Sequence, residues 1–291
     1  MHLRTMINAI VTLYNPDDSV VDHVKEFAAQ TDRVILCDNS TDDHSEMFAD
    51  VPSVVYTTEH RNLGLSGAFN RVLKDEKYGW SDKDYVIFFD QDSSIKENHI
   101  QLLIDDFEGM EKSGYKVGCL GPVFFNTSKN AIEEPKLKKD ISSSIYQVNN
   151  TITSSLLTRY QIMKKVGYFN DEVFLDFVDW DLCWRMGDHG YGVFMTKSVV
   201  LGHSVGSGEK KVGPISLRVG APSREYYQTR DALFLMRKPY VPTKMKIRLW
   251  ANVYVRPTVH KLFMDDWAVR KHYIERGRED YKKHIKGEYN A

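Results

Sequence analysis

Short apolar runs alternate with stretches of helical spacing through the first third of the chain. The runs at 6–13, 34–37, 54–57 and 85–89 are rich in Val, Ile, Leu and aromatic residues and end on polar turn formers, so each reads as a buried strand. Between the first two, Ser19 opens a helix reaching about residue 30, and helical spacing returns over 63–78. Strands alternating with helices predict an α/β fold: a Rossmann-like, mostly parallel sheet flanked by helices.

The second half is less regular. An amphipathic helix spans 102–112, a strand broken by Gly118 and Gly121 spans 117–124, and the polar stretch 126–144 reads as a surface loop. A strand at 151–157, a helix at 159–166 stopped by Gly167, a last strand at 199–202 and a helix from about 222 to 238 follow. The Gly- and Ser-rich stretch 204–213 has the composition of a lid. Beyond Pro242, Lys244, Lys246 and Arg248 mix with Ile247, Leu249 and Trp250, and 270–286 reads as a solvated helix. The mixed segment, 243–267, fits either a membrane-interface helix or a tail packed on the domain or in a homodimer contact.

Composition narrows the class. Of 291 residues, 39 are basic and 40 acidic, so no global charge favours nucleic acid. Cys37, Cys119 and Cys183 are far apart and odd in number, which fits free thiols in a reducing cytosol. The start of the chain has no signal-peptide pattern, and no apolar run approaches the ~20 residues of a spanning helix. The expectation is a cytoplasmic protein, soluble or peripheral on the inner face of the plasma membrane.

The chemistry sits where the strands end. The run at 85–89 stops on Asp90-Gln91-Asp92, and strand periodicity would put both carboxylates on one side. Ligands of open α/β sheets lie beyond the carboxyl ends of the strands, and two acids there suit Mg2+ or Mn2+ holding a diphosphate. An acidic turn is the alternative. No glycine follows the first strand and no phosphate loop occurs, which argues against a dinucleotide dehydrogenase and a P-loop nucleotidase. Instead, Thr12-Tyr14-Asn15, Asp38-Asn39-Ser40 and the Arg61-Asn62-Leu63-Gly64 segment join the Asp90 cluster. Tyr14 could stack on a base, Asp38 accept from the N–H of uracil or thymine, Asp90 reach a ribose, and the helix start near Gly64 face an anion. Each cluster alone also reads as a turn or cap.

The order Val-Thr-x-Tyr-Asn, Asp-Asn-Ser-x-Asp-Asp, Asn-x-Gly-x-x-x-Ala-x-Asn and Asp-x-Asp resembles family 2 glycosyltransferases with the GT-A fold, and most of all the rhamnosyltransferases of bacterial cell-surface polysaccharide synthesis. The resemblance spans about residues 6–240. It implies a catalytic domain at 1–215, with a nucleotide-sugar half to about 95 and an acceptor half from 96, and a C-terminal helical extension at 216–291.

The family's Glu-Asp-x-Asp-Leu-x-x-Arg motif resembles Val178-Asp179-Trp180-Asp181-Leu182-Cys183-Trp184-Arg185, with Val178 where an acid is usual. This implies Asp179 as catalytic base. Asp176 competes for that role, and Asp181 also suits a helix cap. Trp180 fits an acceptor wall or the core. His203 stands where the family often has a metal ligand, to be shared with Asp92. Tyr227 and Arg230 fall in a segment like the rhamnosyltransferase Tyr-Tyr-x-x-Arg-Asn, with Asp231 for Asn, implying the acceptor or diphosphate side.

The implied reaction is inverting transfer of L-rhamnose from dTDP-β-L-rhamnose to a polyprenyl-diphosphate-linked saccharide, with Mn2+ or Mg2+. A UDP-hexose donor, a non-catalytic nucleotide-sugar-binding subunit and a nucleotidyltransferase are the alternatives. The last usually shows a Gly-rich basic loop after the first strand, which is absent here.

Overall fold

The structure is a computed structural model describing residues 4–126, 131–135, 137–203, 209–212, 215–218 and 220–289. Four parallel strands form one side of the central sheet, in the order β3 (Val54–Thr58), β2 (Arg33–Asp38), β1 (Ile7–Leu13), β4 (Tyr85–Asp90). Ile10, Val34, Ile35, Ile87 and Phe88 are fully buried, as strands covered on both faces require.

The crossovers are α1 (Ser19–Ala28), between β1 and β2, and α2 (Gly64–Leu73), between β3 and β4. Phe27 of α1 stacks on Phe89 at 4.2 Å, and Phe69 of α2 packs edge-on against Phe88 at 4.7 Å. Successive residues of a strand point to opposite faces, so the two helices cover opposite sides of the sheet.

Beyond β4 the sheet changes character. The element α3 (His99–Lys112) leads to β5 (Val117–Asn126), and β9 (Leu156–Arg159) is inserted antiparallel between β4 and β5. A long strand, β10 (Gly192–His203), runs parallel to β5, and β8 (Ile145–Val148) and β7 (Lys138–Asp140) close that edge antiparallel. A short β6 (Ala131–Glu133) pairs with the end of β5, and β11 (Glu209–Val212) with β12 (Ile215–Arg218). The helices α4 (Tyr160–Lys165) and α5 (Val178–Asp188) lie between β9 and β10 in sequence. The GT-A-like arrangement expected from the sequence is present: a central sheet, flanking helices and C-terminal helices.

Several stretches differ from the sequence reading: 126–144, read as a surface loop, holds β6 and β7, and 209–212 of the expected lid is β11. Helix α2 ends at Leu73 because Asp75 starts a separate 3-10 turn, accepting from the Lys77 N–H. The expected strand at 151–157 is a buried polar loop followed by β9: Ser155 has φ +63, and its hydroxyl hydrogen-bonds His99 Nε2 at 2.7 Å instead of facing a strand neighbour. Strand β10 starts at Gly192, well before the apolar run at 199–202, because it bulges between Thr196 and Val200.

The last layer is α6 (Arg224–Met236), α7 (Thr243–Tyr254), α8 (Arg256–Phe263) and α9 (Trp267–Lys282). Its hub is Glu225, 4% exposed at the start of α6. It pairs with Arg256 of α8 and lies 3.1 Å from both His260 of α8 and Arg270 of α9. Burial works to raise the Glu225 carboxyl, but these neighbours outweigh it and hold it near 2. Gly277 lets α9 touch α6, since a Cβ there would lie 2.7 Å from the Tyr226 carbonyl oxygen. No described helix is long and apolar enough to cross a membrane.

Candidate active site

The ladder register sets Thr12 beside both Asp90 and Cys37, and Leu13 beside Asp38. Three of the polar clusters read from the sequence therefore share the carboxyl edge of the parallel strands. Gln91 ties two of them together: its side chain accepts the Tyr14 N–H at 2.7 Å and donates to the Tyr14 carbonyl at 3.3 Å. The Tyr14 ring itself remains 56% exposed. Asn15, at φ +45, donates its N–H to Ser40 Oγ at 2.7 Å.

Asp38 is buried and accepts from the Ser40 N–H at 2.8 Å, the Tyr56 hydroxyl at 2.6 Å and the His44 ring at 2.8 Å. Burial pushes its carboxyl up, and these hydrogen bonds more than offset that, leaving it below its ordinary value. The α2 entrance is held by Asn39, which donates to the Gly64 carbonyl at 3.1 Å and accepts from the Leu63 N–H at 3.3 Å. Asn62 accepts the Gly64 N–H at 2.9 Å, and Arg61 is exposed.

Asp90 is half-buried at the end of β4, and Asp92 is exposed just beyond it. Burial, and then the charge of Asp92, push the Asp90 carboxyl up to about 6. Asp179 lies in the first turn of α5, with Oδ1 accepting the Trp180 N–H at 2.8 Å. Burial raises it to about 7, with Asp176 and Asp90 adding like-charge repulsion. Asp90 and Asp179, 89 positions apart by number, are thus electrostatic neighbours.

The loop before α5 is held on both sides. The Phe174 carbonyl accepts from the Leu65 N–H at 2.8 Å, and its N–H donates to Asp231 Oδ2 at 2.8 Å. Its ring stacks on Tyr227 at 4.6 Å. Asp176 bonds Arg224 of α6 at 2.5 Å. Phe177, at φ +69, then turns the chain into α5 and presents Asp179.

Tyr227 and Arg230 brace this loop from the helical layer. Arg230 is fully buried, donating to Asp231 at 2.8 Å, the Tyr226 hydroxyl at 3.1 Å and the Gly287 carbonyl at 2.7 Å. Asp181 is also fully buried and accepts from Tyr240 at 2.6 Å, Arg185 at 2.8 Å and Asn170 at 3.2 Å. Trp180 is half-buried, its ring 6.1 Å from the Trp184 ring and 4.7 Å from the Arg248 guanidinium. His203 ends β10, but its side chain lies outside the described residues, as does the 204–208 part of the expected lid.

Sequence reading missed the braces. Asp231 and Arg224 hold the loop before α5 through Phe174 and Asp176, while His44 and Tyr56 hold Asp38. Behind Asp92, the Ser93 and Ser154 hydroxyls meet at 2.6 Å. The one legible signal was the polar run Thr151-Ile-Thr-Ser-Ser, unusual in a stretch this buried.

Comparison with known proteins shows the family and the fold. The dTDP-rhamnosyl transferase RfbF of Shigella flexneri is 28% identical over 262 residues, covering 84% of this chain and 85% of that protein. The first 349 residues of TarS from S. aureus, solved with UDP-GlcNAc, match with a TM-score of 0.56 at 13% identity, over 96% of this chain and 92% of that one. GalNAc-T7, solved with UDP, GalNAc and Mn2+, matches with a TM-score of 0.55 at 11% identity over 96% of this chain, which spans 58% of that structure. The family model "Glycosyl transferase family 2" matches residues 9–164, more than half of the chain. The chain belongs to glycosyl transferase family 2 and is a glycosyltransferase with a GT-A-like fold.

Proposed function

We propose that this protein is an inverting rhamnosyltransferase that carries L-rhamnose from dTDP-β-L-rhamnose to a polyprenyl-diphosphate-linked saccharide. Its relatedness to a dTDP-rhamnosyl transferase along most of both chains supports the donor. The observation that supports the chemistry is the placing of Asp179 in the first turn of α5, with Asp90 near enough to repel it and burial pushing its carboxyl up to about 7. A general base poised near the working pH removes protons best.

The residues at the strand ends fit a divalent cation. Asp90 and Asp92 repel each other, and among the described residues no Lys or Arg pairs with either. Among the described residues no group of three or more His, Cys, Asp or Glu could hold a metal ion. Asp92 and His203 would hold Mn2+ or Mg2+ together with a diphosphate. When bound, such a cation supplies positive charge to the leaving diphosphate.

The chain's own residues do the rest. Tyr14 offers an open ring to the base, while Asp38 and Asn39, braced by their neighbours, shape the nucleotide side with Thr12, Asn15, Arg61, Asn62, Gly64 and Gln91. Asp90 reaches the ribose. Asp179 takes the proton from an acceptor hydroxyl as that oxygen bonds to the anomeric carbon. The bond to the diphosphate oxygen breaks on the opposite face, which inverts the configuration, as in inverting glycoside hydrolysis. Trp180 walls the acceptor side.

The test is turnover of dTDP-rhamnose and of UDP-sugars in parallel, with Mn2+ or Mg2+ and lipid-linked acceptor mimics, beside Asp179→Asn. The expected result is turnover of dTDP-rhamnose alone, reduced at least 100-fold in Asp179→Asn with donor affinity kept. Turnover of a UDP-sugar instead overturns the rhamnose assignment, and full activity of the variant removes Asp179 as base.

A further inference from the structure

The helices after α6 leave one face uncovered. On α7, Ile247, Trp250 and Tyr254 follow at i, i+3 and i+7, which places them on one side. They are 63%, 51% and 47% exposed, and the Trp250 and Tyr254 rings lie 5.6 Å apart. On α8, Leu262 is 69% exposed, with Phe263 beside it. Leu249 and Val253 of the same helix are buried, so α7 packs by its other side and leaves this one uncovered.

The charge on this segment is one-sided. Residues 243–263 contain Lys244, Lys246, Arg248, Arg256 and Lys261 and no Asp or Glu, in a chain whose charges otherwise nearly cancel. Arg256 is consumed internally by Glu225. Lys244, Arg248 and Lys261 are exposed beside the apolar face. Between α8 and α9 a cavity of about 300 Å³ opens, lined by Tyr254, Lys261, Trp267, Lys271, Glu275 and Arg278.

We infer that this face of α7 and α8 docks on an anionic lipid bilayer, with Ile247, Trp250, Tyr254, Leu262 and Phe263 entering the interface and the lysines meeting the headgroups. An aromatic and aliphatic face whose own helices, α7 and α8, carry cations and no acid has the composition of an interfacial helix. A second copy of the chain suits it less well, because a two-fold contact would set the same cations against each other. The face is also tied to α5: the Arg248 guanidinium lies 4.7 Å from the Trp180 ring, one residue from Asp179. Docking there sets the acceptor side close to the bilayer. The inference stands whichever nucleotide sugar is the donor.

The test is sedimentation of the whole protein with phosphatidylcholine vesicles, with and without phosphatidylglycerol, reading binding and no turnover. Two double variants at exposed or half-buried positions are compared, Trp250→Ser with Leu262→Ser and Lys244→Glu with Lys246→Glu. Circular dichroism confirms folding, and light scattering reports the oligomeric state. Expected are pelleting that requires phosphatidylglycerol, at least tenfold weaker partition for each variant, and weakening in molar salt. Absence of pelleting, indifference to phosphatidylglycerol, or unchanged binding by both variants overturns it. So does a wild-type dimer that the Trp250→Ser, Leu262→Ser variant converts to a monomer, since the face then belongs to a second copy.

Discussion

Gly64 lies so close to Phe174 that a Cβ on it would sit 2.5 Å from the Phe174 carbonyl oxygen and 2.5 Å from a ring carbon. Its φ is +69, a region that L side chains rarely adopt. This contact joins the nucleotide side to the loop that carries the base. Gly64→Ala is therefore expected to lose about 2 kcal/mol or more of stability in chemical denaturation, through backbone strain and steric overlap together. It should also lower kcat. A variant as stable as wild type would show that the loop can retreat from α2 at no cost.

The pH profile follows from Asp179. With its carboxyl raised to about 7, the acid form predominates below neutrality and cannot accept a proton. The rate kcat/KM should rise about tenfold per pH unit up to about 7 and then level off. Asp179→Asn should flatten that limb along with the loss of rate.

Chelation tests the strand-end pair. EDTA should abolish turnover, with recovery on adding Mn2+ or Mg2+. Asp92→Asn should weaken cation affinity at least tenfold by calorimetry in the presence of dTDP, because it removes one of the two carboxylate charges. The same change should leave Asp90 less repelled, so its carboxyl should titrate below the value of about 6 it has in the intact protein.

Asp231 serves two buried donors, the Phe174 N–H and the Arg230 guanidinium. Asp231→Ala leaves the Phe174 N–H and the Arg230 Nε–H without an acceptor, and a buried guanidinium without its carboxylate, and should cost about 3–5 kcal/mol. Asp231→Asn keeps an oxygen for Phe174 and should cost less. Comparing the two by urea denaturation, with kcat measured on the folded fraction, separates anchoring of the base loop from general stability.

Glu225 sets the acid limit of the helical layer. Its folded value near 2 is below its ordinary 4.5, so its stabilisation is complete above about 4.5 and lost as pH falls toward 2. That difference amounts to about 3 kcal/mol. Glu225→Gln should lower Tm at pH 7 and make Tm less dependent on pH between about 5 and 3. An unchanged slope would mean other carboxylates govern acid unfolding.

The sequence made the parallel half legible because burial on both faces forces continuous apolar runs, and Asp38, Asp90 and Asp92 stood out as acids ending such runs. Asp179 was legible only through its motif, since an acid in a first helical turn is equally a cap. What stayed hidden were contacts between distant segments. Nothing local to Phe174 says that Leu65 and Asp231 will grip its backbone, and nothing local to Arg230 says that it will be fully buried. Thr151–Ser155 misled for a related reason: β-branched and small polar residues suit a strand, and only the arrival of Ser93 and His99 turns them into a knot of hydrogen bonds.

The grip on Phe174 also bears on how the protein comes into being on the ribosome. Residues 7–90, which carry the four parallel strands, emerge early, and the contacts among Asn15, Asp38, Ser40 and Tyr56 lie wholly within them. The base is different: its loop is fastened by Asp231, which is synthesised after most of the chain. A nascent or truncated chain can therefore own these contacts long before the loop that leads to Asp179 is fastened. Transfer begins only when the late helices have arrived, which protects a half-made enzyme from spending activated sugar.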